Sequence, residues 1–101
     1  MKINGNEYRI KTMNAIELMA LRSQIDFDNY EKVLKMYEIM LEKLEVEVNG
    51  KWLPVKTPGT KIYVPSGLEN DVDTTEKLIM FVMEYVKSVF TKSDVSKKEQ
   101  E

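Results

Sequence analysis

Two of the residue types that carry most protein chemistry are missing from these 101 residues: there is no cysteine and no histidine. Without cysteine there can be no disulfide, thiolate metal site or thiol nucleophile. Without histidine the usual general base near neutral pH and the commonest zinc ligand are gone too. Any catalytic site would rest on Asp, Glu, Lys, Tyr, Ser or Thr alone. The expectation is therefore a protein that is not an enzyme and holds no cofactor and no metal. A basic surplus is also lacking, since 15 Lys and Arg face 17 Asp and Glu for a formal charge of −2. A nucleic-acid binder carries excess cations to displace phosphate counterions. No apolar run approaches the roughly 20 residues that cross a bilayer, and no charged-then-apolar leader opens the chain. These absences point to a cytoplasmic protein that binds neither nucleic acid nor membrane and acts by holding another protein.

What is present suffices for one core. The hydrophobic fraction of 43% can fill the interior of a single small domain, and the 32% of charged residues keeps its outside wet. From Thr91 to Glu101 the sequence reads TKSDVSKKEQE, with Val95 as its one apolar residue. Such a stretch buries too little to offset its ordering entropy. The chain divides accordingly into a single α+β domain over 1–90 and a disordered charged tail over 91–101.

Local patterns give the elements. Lys2–Ile3, the turn Asn4-Gly5 and Glu7–Ile10 read as a tight hairpin. Asn14 and Glu17 have capping-box spacing for a first helix from about Ala15 to Ile25. Asp28 and Glu31 have the same spacing before a second helix, whose face carries Tyr30, Val33, Leu34, Tyr37, Met40, Leu41 and Leu44. Alternation about Asn49-Gly50 predicts a second hairpin with Val46 across from Leu53 and Glu47 across from Trp52. Val46, Val48, Leu53 and Val55 then share a face, and Pro54 confines the last strand to an edge. Thr57-Pro58-Gly59 marks a turn, Lys61–Val64 a short extended segment, and Pro65-Ser66-Gly67 its end. Asp73 and Glu76 open a third helix to about Phe90. Its apolar arc covers more than half the circumference, which predicts packing on more than one side. The fold class is α+β: three helices packed with short antiparallel β-hairpins in one domain.

Candidate chemistry is sparse. Glu69, Asp71, Asp73 and Glu76 alternate as carboxylates do in calcium loops, but Thr74 stands where the loop needs glycine and Met80 where it needs a bidentate Glu. The run fits a helix N-terminus better. Gly5 and Gly50 fit turns rather than phosphate loops, and Thr57–Lys61 lacks Walker spacing. Trp52 could stack on a base, but the acidic balance favours cross-strand packing with Glu47 and the stem of Lys51. More informative are Ile39, which falls among Lys32, Lys35 and Lys43 on the wet side of its helix, and Met80, between Glu76, Glu84 and Lys87. The seven Met point the same way, because flexible thioethers suit surfaces that grip varied apolar partners. The expected partner-binding surface is Met36, Ile39 and Met40 on the second helix with Met80, Phe81 and Met83 on the third.

The opening KINGNEYRIKTMNAIELMALRSQ, the middle LEVEVNGKWLPVKTPG, then YVPSGLENDV and a helix ending YVKSVFTKS resemble the small tail assembly chaperones of long-tailed, siphovirus-type bacteriophages. The resemblance runs over most of residues 1–92 and is one of overall pattern. It implies a protein that binds the tape measure protein and keeps that long apolar helical chain soluble while the tail tube is built around it. It also implies action in the cytoplasm of the infected bacterial host, absence from the mature virion, and for many such proteins a longer frameshifted form. Homo-oligomerisation would suit a chain that coats a long rod. Competing expectations are a structural head–tail connector or tail completion protein, and a small phage regulator that binds nucleic acid or a host protein.

Overall fold

A computed structural model describes the backbone of residues 1–100 and the side chains of residues 1–90. Four antiparallel strands, β1 (Lys2–Ile3), β2 (Asn6–Ile10), β3 (Leu44–Val48) and β4 (Lys51–Pro54), form one sheet in the order β1-β2-β3-β4. Three helices, α1 (Ala15–Arg22), α2 (Tyr30–Met40) and α3 (Val72–Gln100), complete the α+β fold expected from the sequence, with a 3-10 turn at Leu68–Asn70 leading into α3. Both hairpins turn on Asn-Gly. Asn4 and Asn49 have φ of 48° and 51°, and the glycines after them 90° and 80°. These positive angles match the right-handed twist of the flanking strands. The second hairpin has the expected register, with Val46 opposite Leu53 and Glu47 opposite Trp52.

Sheet and helices share one interior. Tyr8, Leu44, Val46 and Val55 lie on the inner face of the sheet, all fully buried. Against them pack Val33, Met36, Tyr37 and Met40 of α2 and Leu78, Val82 and Val86 of α3. Leu53 shares the face of Val46 but stays exposed, because edge strand β4 has a neighbour on one side only. The outer face is polar. There Arg9 donates from Nε to Glu45 at 2.9 Å and stacks 4.1 Å from the Trp52 ring centroid. Trp52 therefore packs under Arg9, two strands away, a contact worth about 0.5–1 kcal/mol at a site open to solvent.

Helix boundaries depart from expectation where the backbone before them is already committed. The Asn14–Glu17 capping box forms as expected. α1 ends at Arg22 rather than Ile25, with Ser23 as its C-cap and its hydroxyl donating to the Ala20 carbonyl at 2.7 Å. Asn29, not Asp28, caps α2 by accepting from the Lys32 N–H at 3.3 Å. Asp28 is held in the preceding turn, where its own N–H donates to Asp26 Oδ1 at 3.0 Å. Asp71, not Asp73, caps α3. The 3-10 turn leaves Asp71 extended, and its carboxylate accepts both the N–H (3.0 Å) and the hydroxyl (2.8 Å) of Thr74. α3 runs past the expected end near Phe90 to Gln100, since no Pro or Gly interrupts it. The expectation of a disordered tail over 91–101 falls on side chains outside the described residues. Of the segment Lys61–Val64 only one bridge is paired, Lys56 with Tyr63, beside a Val64 N–H bond to the Val55 carbonyl at 2.8 Å.

Candidate functional site

The six residues expected to form one partner surface are divided between the interior and the surface. Met36 and Met40 are 2% and 0% exposed. They belong to the core, because the α2 face that carries them is the one laid against the sheet, and neither can meet a partner without unfolding. Ile39 is exposed, but it borders a hollow formed with Leu21 and Lys43 on the α1 side. Phe81 is half-buried in a hollow beside Met1 and Ile3 that Met80 also lines. Met80 and Met83 lie together in an open groove.

That groove, of about 480 Å³, lies between the start of α2 and the first half of α3. Its floor is made by Val33 and Ile79, both buried. Met80, 62% exposed, and Met83 form one wall. Phe27 and Tyr30 form the other; Tyr30 is exposed and Phe27 half-buried. On α3 the groove residues fall at Glu76, Ile79, Met80 and Met83, the i, i+3, i+4, i+7 spacing of a single helical stripe. The stripe spans about two turns, or roughly 11 Å. The arc of α3 is too broad for the sheet to cover. One edge of it enters the core through Leu78 and Val82, and the adjoining edge is left in the groove.

Two carboxylates, Asp28 and Glu76, line the same opening, and no Lys or Arg does. Lys87 is held nearby, its ammonium 5.0 Å from the centroid of the Phe27 ring. Phe27 and Tyr30 were not named from the sequence as contact residues. The signal for Phe27 is faint: an aromatic two residues before the Asn29 cap, in position to pack toward Val33 four residues into the helix.

Elsewhere the chemistry is structural. Among the described residues no group of three or more Asp or Glu side chains could hold a metal ion. The acidic run beside α3 is accounted for otherwise: Asp71 caps, and Asp73 accepts from Asn4 and Lys77 at 3.0 and 3.1 Å. Those two donors hold the Asp73 carboxyl below its ordinary pKa, the Asn4 amide first. Glu17 is lowered in the same sense, chiefly by its hydrogen bond from Lys43. The Tyr8 hydroxyl is buried without a hydrogen-bond partner among the described residues, and burial followed by the nearby Asp71 charge raises its pKa. Burial raises Tyr37 further, with Tyr63 and Tyr8 adding to the effect. No described helix is long and apolar enough to cross a membrane. No family model, curated protein or solved structure matches the chain.

Proposed function

We propose that this chain is a holding chaperone of phage tail assembly, which takes an apolar helical segment of the tape measure protein into the groove between α2 and α3. The observation that carries the reading is Met80. A large apolar side chain stands 62% exposed on a helix that already supplies the core, with Met83, Phe27 and Tyr30 around it. Single exposed apolar residues are ordinary, whereas a cluster framing a concave opening is the usual form of a helix-binding site. Two methionines on one wall suit a client whose successive segments differ, because unbranched thioethers repack at little cost. The resemblance of the sequence pattern to tail assembly chaperones supplies the identity of the client. In this reading the protein acts in the cytoplasm of the infected host and is left behind when the virion is complete.

Co-expression with the tape measure protein tests the reading. The client should be soluble with the wild-type chain and largely insoluble without it or with Met80→Glu, which puts a charge on the groove wall. Equal solubility in all three cases would remove the proposal. Circular dichroism of Met80→Glu, expected to match wild type, separates loss of holding from loss of fold.

A further inference from the structure

The groove carries information about its occupant beyond being apolar. Its charged lining is of one sign: Asp28 from the turn before α2 and Glu76 from α3. Some carboxylates of the molecule have cations of their own. Glu45 pairs with Arg9, Glu17 with Lys43 and Asp73 with Lys77. Asp28 and Glu76 make no ion pair among the described residues. Lys87 sits over the Phe27 ring, outside the groove lining.

We infer, on the basis of the holding reading above, that the groove selects amphipathic helices bearing a Lys or Arg within one turn of their apolar anchors, with Asp28 and Glu76 as the charge-selecting groups. The geometry sets the rest of the description. Two turns of α3 face the groove, so the occupant offers about two turns, with anchors spaced i, i+3 or i+4, i+7. A helix with acidic flanks would bring like charges together in a partly dry cleft, which discriminates against it. Both carboxylates are exposed, so their effect is that of rim charges and fades with salt.

Two labelled peptides of about 20 residues, with the same apolar face and either Lys or Glu beside the anchors, test this by fluorescence anisotropy against the full chain. The Lys peptide should bind about 3- to 10-fold more tightly at low ionic strength. The preference should shrink in about 0.5 M salt and disappear in the Asp28→Asn, Glu76→Gln double variant, whose circular dichroism should match wild type. Equal affinity for the two peptides, or a preference that survives in the double variant, overturns the inference while leaving the holding reading intact. Binding of neither peptide overturns both the inference and the groove as a docking site. A dimer of the chain alone that Met80→Glu dissociates, seen by sedimentation, would assign the groove to a second copy and overturn it as well. Discrimination between the peptides with no effect on tape measure solubility would instead remove the identity of the client and keep the selection rule.

Discussion

Met40 and Met80 are each a methionine in a helix with a broad apolar arc, yet one is wholly enclosed and the other mostly bare. The difference lies in what each helix meets. The inward residues of α2 share one core with Tyr8, Leu44 and Val46, and the helix also packs against α3. α3 packs against α2 on one side and near β1 on another, which leaves the stripe at Ile79, Met80 and Met83 facing an opening. An apolar arc on a helical wheel states how much surface wants cover. It does not state which part of the molecule provides that cover.

The sharpest way to break this contrast is to truncate both side chains. Met40→Ala should lower stability by about 2–5 kcal/mol through lost transfer energy and a cavity in a close-packed core. Met80→Ala should change it by no more than about 0.5 kcal/mol. Urea denaturation of the two variants measures the difference, and near-equal losses would mean that Met80 is covered in solution.

The caps sharpen the contrast between committed backbone and open surface. Asn29→Ala and Asp71→Ala should each cost about 1 kcal/mol, as loss of an N-cap does. Alanine at Asp28 or Asp73, one residue before and two after those caps, should cost less than half as much. Thermal melts of the four variants decide between the observed caps and those expected from spacing. A loss at Asp28 equal to that at Asn29 would restore the sequence-based assignment.

The enclosed side should also reveal itself at high pH, where the groove is indifferent. Tyr37 and Tyr8 have folded pKa values raised above the ordinary phenol value by burial. Because the folded state resists ionisation, the unfolded chain releases the protons first. Their contribution is therefore complete below the unfolded pKa near about 10 and is lost as pH rises through the folded value. Urea midpoints measured across that range should fall, and Tyr37→Phe should flatten the fall. An unchanged slope in Tyr37→Phe would place the phenol in solvent.

Much of this fold was legible in the sequence, and the reasons are specific. Asn4-Gly5 and Asn49-Gly50 announced both hairpins because positive φ at two successive positions is a demand few other dipeptides meet. Pro54 marked the edge strand because it has no N–H to give to a further neighbour. The caps of α2 and α3 were misplaced by one or two residues, since the spacing rule cannot see an Asx turn at Asp26 or a 3-10 turn at Leu68–Asn70 competing for the same chain. Of the groove residues, Met80 stood out by its place on a wheel and Met83 as one of the helical methionines. Phe27 was missed because it lies in a turn, where periodicity says nothing. Met36 and Met40 were misassigned because the flexibility of methionine was read as a sign of surface, although the periodicity of α2 already turned Met40 inward.

The smallest expected effect concerns a hydroxyl. Tyr8 is buried between β3 and the start of α3, and its Oη lacks a partner among the described residues. Around it lie Asn6, Asp71 and Thr74, a polar neighbourhood in an otherwise apolar core. A buried hydroxyl that makes no hydrogen bond gains nothing to offset its desolvation. Removing it as Tyr8→Phe keeps the ring and its packing, so stability should hold within about 0.5 kcal/mol of wild type or rise slightly. This is the inverse of the Met40 experiment, in which shape is lost and no polar group is involved. A loss greater than about 1 kcal/mol would mean that the hydroxyl is satisfied from outside the chain through the hollow beside Asp71. The enclosed side of the molecule would then be less closed than its burial implies.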